Sequence, residues 1–336
     1  MKLLPRVLVL GSGLIADELA VAYRRLGCDS AVGSLSDATH YDMVVVADDT
    51  VNAGELRTVA EQTPVVPAVS ACALAFDRAA LRQKACEELG LPTLTYQPTR
   101  TPEELTAAAE SIGYPLIMKP RLGRGQHVAT SPDELAHPFG DQDLMVERFI
   151  DFDYEVTILT VRSVDPATGE LATWFCEPIG TRHDHGELVE AWQPALLSEA
   201  AADNARSIAA RITGALEGCG LFAIELFVDG EEVYFSQATP LPTLDGMLTR
   251  TTQRVDQFEL FARASLRLPI DVTLTTPGAS LLAPRGVSAP RDALTHAMSV
   301  EETGGQLLAD ALLIHSTADT VEEARDRAAR AADYDA

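Results

Sequence analysis

Tyr114-Pro-Leu-Ile-Met-Lys-Pro120 reads as an apolar strand that ends on a lysine and breaks at once into a glycine loop, Leu122-Gly-Arg-Gly-Gln126. Another strand, His127-Val-Ala-Thr130, follows directly. No other stretch narrows the choice of fold as much. Glycines let backbone N–H groups close on an anion, and the lysine adds a positive charge at the strand end. Strand, glycine loop and strand in that order can wrap a triphosphate. A solvated strand end is the plain alternative, because lysines are mostly exposed, and this segment alone does not separate the two.

Two later strands carry acids in the order such a site needs. Met145-Val-Glu147 ends a strand on a carboxylate and leads into Arg148, Phe149 and Ile150. An adenine ring needs a flat apolar slot and open backbone groups, and a strand-to-strand hinge supplies both. Glu155 is placed to accept ribose hydroxyls, or else is one charge of a solvated strand start. Glu225 lies inside Leu221-Phe-Ala-Ile-Glu-Leu-Phe-Val228, where an unpaired carboxylate is costly. Magnesium, which takes carboxylates together with phosphate oxygens, is one reason for it. A salt bridge to Arg182 or Arg250 is the structural alternative.

The rest of the chain supports a mixed α and β organisation. With 336 residues, 46% of them hydrophobic, it suits two or three packed subdomains. Residues 6–10, a glycine turn, a helix over 15–26 and strands at 43–47 and 65–66 predict a small βαβ lobe of about the first 70 residues. The turn Gly11-Ser-Gly-Leu-Ile-Ala16 lacks the third glycine of a dinucleotide fingerprint, and no ribose-binding acid follows. Helices are expected over 78–89, closed by Gly90, and over 102–112, 198–216 and 257–266. From 269 onward the pattern predicts short strands and one final helix over 320–332.

A net charge of −24 repels phosphate backbones and argues against nucleic acid as a partner. It also makes each basic residue beside a glycine informative. The apolar run Val7 to Leu10 is far too short for a membrane span, and no secretory leader is visible, so a cytoplasmic protein without a membrane partner is expected. Five cysteines without a CxxC pair predict reduced, mostly buried thiols.

Taken in order, Arg78, residues 114–120, Gly125-Gln126, Val146-Glu147, Phe152-Asp-Tyr-Glu-Val-Thr-Ile-Leu-Thr-Val161 and Gly220-Leu-Phe-Ala-Ile-Glu-Leu-Phe-Val228 resemble the formate-dependent glycinamide ribonucleotide transformylases. Cys176-Glu-Pro-Ile-Gly180 and Ala191-Trp-Gln-Pro194 strengthen the resemblance, which covers about residues 64–270 well. It implies an ATP-grasp fold of the α/β and α+β kind, with a lobe at 1–70, ATP-grasp lobes at 71–268 and a small β-rich C-terminal domain at 269–336. It implies ATP and Mg²⁺ as cofactors, a small carboxylate activated as an acyl phosphate, an amine acceptor, and a homodimer. Position by position, Arg78 and Lys119 would touch phosphates, Gly125 and Gln126 would belong to a covering loop, and Glu147 with Arg148, Phe149 and Ile150 would hold adenine. Glu155 would hold the ribose, and Glu225 with Gln237 the metal.

The chain departs from the family where substrate and metal are held. Gln237 stands where the family has a second magnesium carboxylate, Leu241 where it has an arginine, and Leu14 where it has a substrate glutamate. The phosphate loop is shorter, and residues 306–310 run almost directly into the last strand without a basic pair. Two expectations follow. One is a ligase acting on a different, non-phosphorylated amine; the other is a catalytically impaired homologue that binds nucleotide or a protein partner.

Overall fold

The computed structural model describes residues 4–135, 139–150, 152–184, 186–283, 290–308 and 311–333. Three sheets organise them. The first is parallel, in the order Asp29–Gly33, Arg6–Leu10, Met43–Val46, Val65–Val66. Val7 to Leu10 and Val44 to Val46 are fully buried, as befits parallel strands covered on both faces. The strand Asp29–Gly33 was not legible in the sequence. Its Asp, Ser and Gly are poor strand formers, and it holds its place as the edge of the sheet against Arg6–Leu10.

The largest sheet has nine strands. It runs Glu232–Thr239, Gly220–Asp229, Tyr154–Val164, Ile179–Asp184, Glu187–Gln193, Gly278–Ala283, Leu312–Thr317, Thr303–Leu307, with Leu171–Phe175 hydrogen-bonded to Tyr154–Val164. The strands of the chain's last part therefore extend the central sheet, through the pair Glu187–Gln193 and Gly278–Ala283. They pack their own apolar cluster with the helix Val321–Ala332, capped by Thr320, and with an unforeseen helix, Pro290–Ala297. Residues 309 and 310, within the abbreviated segment noted above, lie outside the described residues.

On the other face of the central sheet lies the helix Glu199–Leu216, whose first turn is capped by Ser198 Oγ accepting from the Ala201 amide. Its buried stripe of Ala201, Ala205, Ile208, Ile212 and Leu216 meets Phe222, Ile224 and Phe235 of the sheet. Each large side chain so buried contributes roughly 1.5–3 kcal/mol. The third sheet, in the order Tyr96–Thr99, Leu144–Arg148, Leu116–Pro120, His127–Ala129, is antiparallel and backed by the helix Pro102–Ile112. The helix Arg78–Gln83 continues as a wider π turn over Lys84–Glu88, where one regular helix was expected.

The first lobe is docked firmly. Its helix Leu14–Arg25 packs on Gln257–Ser265, and the fully buried Tyr23 shares a 2.6 Å hydrogen bond with Ser265 Oγ. Leu241, expected near the substrate, does border the cleft between the sheets, and at 3% exposed it also packs into the lobe's core with Leu8, Leu10, Val44 and Val46.

Candidate active site

A cleft of about 750 Å³ opens where the three sheets converge. Arg78, Lys119, Gly125, Gln126, Glu155, Glu225 and Gln237 all line it. Glu147, Arg148, Phe149 and Ile150 are not among its lining residues.

The glycine loop takes the shape that its composition predicts. Gly123 and Gly125 have φ of +86° and +103°, values that other residues rarely adopt. Arg121 anchors the loop's start through a bidentate contact with Asp77, Nη2 to Oδ2 at 2.7 Å. Arg124 at its tip reaches the first lobe, where Asp49 receives Nε at 3.1 Å and Nη2 at 3.0 Å. Arg78 begins the helix after the loop's neighbour in space, and its Nη1 donates to Pro120 O at 2.8 Å. Burial pushes the Arg78 guanidinium below its ordinary pKa, against the pull of Glu225, Glu147 and Asp49.

Lys119 is held by a buried charge cluster. Its Nζ lies 2.7 Å from Glu147 Oε2, and Arg82 Nη2 lies 2.5 Å from Glu147 Oε1. Arg82 also donates to Ser236 O at 2.7 Å, tying this cluster to the large sheet. Burial alone would raise the Glu147 carboxyl, but Lys119 and Arg82 hold it below the usual carboxylate range. The expectation that Glu147 itself reads an adenine is thus corrected. Its carboxylate is 0% exposed and faces two cations, and what it positions is Lys119. Arg148 and Phe149 are exposed just beyond, with their amides donating to Thr95 O and Pro115 O. Ile150 is half-buried and next in line.

The opposite wall has the reverse character. Glu225 and Gln237 are direct cross-strand partners, at a point where the register shifts. Burial and the nearby Asp245 push the Glu225 carboxyl above its ordinary pKa, with His183, Lys119 and Arg78 acting the other way at longer range. Neither arginine proposed for it arrives. Arg182 pairs with Glu190, and Arg250 with Glu18. A half-buried carboxylate in this state fits a divalent cation, which would supply the missing positive charge. Gln237 commits its amide nitrogen to Ala75 O at 3.3 Å, so its oxygen is what it offers a cation. His183 Nδ1 binds Glu155, and although burial lowers the imidazole, Glu155, Glu225 and Asp245 leave its pKa raised.

Sequence reading missed Arg82, His183 and the acids Asp48 and Asp49 of the first lobe, all but the first of which line the cleft. Arg82 had a signal: it sits one turn after Arg78 on the same helix face. His183 had none, since strand pairing with Tyr154–Val164 brings it to Glu155.

Comparison with known proteins bears on this arrangement. Residues 84–258 match the ATP-grasp domain family. A formate-dependent phosphoribosylglycinamide formyltransferase of Corynebacterium efficiens is 41% identical over 97% of this chain and 94% of its own. The chain belongs to the formate-dependent phosphoribosylglycinamide formyltransferase family of ATP-grasp ligases. The solved glycinamide-RNase-transformylase T of Mycobacterium tuberculosis superposes with a TM-score of 0.82 at 35% identity, over 97% of this chain and 99% of that one. A carboxyaminoimidazole ribonucleotide synthase from Aspergillus clavatus, solved with ATP, reaches a TM-score of 0.87 over 96% of both chains. At 21% identity it speaks to the fold alone. Among the described residues no helix is long and apolar enough to cross a membrane.

Proposed function

We propose that the protein uses ATP to convert formate to formyl phosphate and then passes the formyl group to an amine. The observation that carries this is Lys119, held at the cleft by the buried Glu147, which also pairs with Arg82, across from Glu225, a carboxylate with no ion pair among the described residues. A carboxylate oxygen attacks the γ-phosphorus while the bond to the bridging oxygen breaks, and ADP departs with that electron pair. Arg78 and Lys119 neutralise the charge gathering on the phosphoryl oxygens. Gly125 and Gln126 cover the phosphates with backbone N–H groups, Glu155 holds the ribose, and Arg148 to Ile150 form the adenine hinge. Glu225 and Gln237 would hold Mg²⁺, whose charge offsets that of the phosphates. Location in the cytoplasm and assembly as a homodimer belong to the same proposal, the second checked by light scattering.

Hydroxylamine traps acyl phosphates whatever the natural amine, so formohydroxamate made from formate and Mg-ATP tests the first step directly. Lys119→Ala should slow it by about 10- to 100-fold, the worth of a charge-assisted bond. A parent protein that forms neither hydroxamate nor ADP would sink this reading. One observation favours a second one: Glu225 faces an amide, not a second acid, across the hairpin. A nucleotide binder without turnover would show ADP binding by calorimetry and no hydroxamate. The expectation of a different, non-phosphorylated acceptor finds no support in the relatives, which are formate-dependent phosphoribosylglycinamide formyltransferases.

A further inference from the structure

The floor of the cleft is one face of the large sheet, and four neighbouring strands supply it with Gln237, Glu225, Glu155, Thr181 and His183. Of these, His183 has no part in the chemistry derived above. It lies two residues beyond Thr181, the cross-strand partner of Glu155, and its Nδ1 is bonded to the Glu155 carboxylate. The hairpin that carries it also meets the glycine loop. A Cβ on Gly186 would stand 2.6 Å from Gln126 Cγ, and Gly186 has a φ of +82°, so both the approach and the backbone need glycine there. The loop expected to cover the phosphates thus rests on the turn next to His183, and Gly123, Gly125 and Gln126 line the same cleft.

A strut between two strands would be the plain use of the His183–Glu155 pair. Its side chains are 33% and 39% exposed, however, and an ion pair so open to water contributes only about 0–1 kcal/mol. The geometry suits a ligand better. A charged imidazole donates from both nitrogens, so with Nδ1 held by Glu155 the ring has Nε2 to offer. Burial opposes the charge, but the groups that face the ring are acids: Glu155 on its own strand pair, Glu225 on the next strand and Asp245 beyond the hairpin. Together they outweigh burial and leave the imidazole raised above its ordinary pKa.

We propose that His183 is a nucleotide-binding residue whose ring, aimed by Glu155, donates from Nε2 to a non-bridging oxygen of the diphosphate that ATP and ADP share, beneath the glycine loop. This rests on the ligase reading above and deepens it. Arg78 and Lys119 reach the phosphates from the small sheet and its neighbouring helix, and His183 adds a cation from the large sheet. Glu155 keeps Oε1 for the ribose while Oε2 orients the ring. Because the diphosphate is present before and after phosphoryl transfer, this bond holds the nucleotide throughout the reaction and sets affinity more than rate.

Calorimetry on the whole protein with Mg-ADP tests the assignment without requiring turnover. Near pH 6.5, His183→Ala should bind Mg-ADP about tenfold more weakly than the parent, the loss of one charge-assisted bond at a partly exposed site. The gap should shrink toward pH 9, as the imidazole gives up its proton. His183→Gln keeps an N–H donor without the charge and should lose about threefold, which covers the case of an alanine variant that fails to fold. The tenfold loss should persist with 2′-deoxy-ADP; a loss that vanishes there places the ring at the ribose and overturns the proposal. Equal Mg-ADP affinity in parent and variants overturns it too. A loss of Mg-ADP affinity in the variants, together with no hydroxamate from the parent, would sink the ligase chemistry and leave the His183 assignment standing.

Discussion

Two glutamates, one fully buried and one half-buried, stand on opposite sides of one cleft and are held in opposite electrical states. Glu147 ends its strand between Arg82 and Lys119, and its carboxyl lies below the ordinary range. Glu225 sits mid-strand with Asp245 near it and no ion pair among the described residues, and its carboxyl lies above that range. Burial raises both; what differs is the company each keeps. A carboxylate enclosed by two cations is structural and holds a lysine in place. A carboxylate left short of positive charge awaits it from elsewhere, and a nucleotide-bound metal supplies it.

Removing each acid should therefore have opposite consequences. Glu147→Gln leaves Arg82 and Lys119 buried beside a neutral amide. Breaking a buried pair in this way costs about 3–5 kcal/mol, and the melting temperature should fall by roughly 10 °C. An unchanged transition in differential scanning calorimetry would break the contrast at its strongest point. Glu225→Gln removes a charge that the folded state holds at a cost. Without nucleotide the variant should melt higher, by about 2–3 °C, while magnesium no longer tightens ADP binding. Destabilisation in the absence of ligand would mean that Glu225 is already compensated.

The smallest effect sharpens the picture around Glu225. His183 is raised above its ordinary value by Glu155 and the neighbouring acids, so its protonated form is favoured by folding. The stability it adds is complete below the unfolded pKa of about 6.5 and is lost as pH rises through the folded value. The parent should therefore out-melt His183→Gln by at most about 2 °C near pH 5.5, because the pair is partly exposed, and the margin should close toward pH 8.5. A margin that grows with pH would place the proton elsewhere.

The sequence by itself determined most of the strands in their order along the chain and several of the charged groups in the cleft. Lys119 before its glycine loop, Glu155 at a strand start, and Glu225 in an apolar strand are local patterns, set by period and composition. Facing relations were another matter. That Glu147 turns inward to Arg82 depends on a helix 65 residues earlier (147 − 82) packing behind its strand. That Leu241 belongs to the first lobe's core depends on that lobe docking on the hairpin's exit. The strand Asp29–Gly33 exists because Arg6–Leu10 offers it an edge, and the last part of the chain joins the central sheet because Glu187–Gln193 offers another. Asp48 and Leu14 come together at one glycine turn only when the parallel sheet closes. Periodicity is written in neighbouring residues, whereas burial, pairing and charge state are fixed by which distant surfaces meet, and only the folded chain decides that.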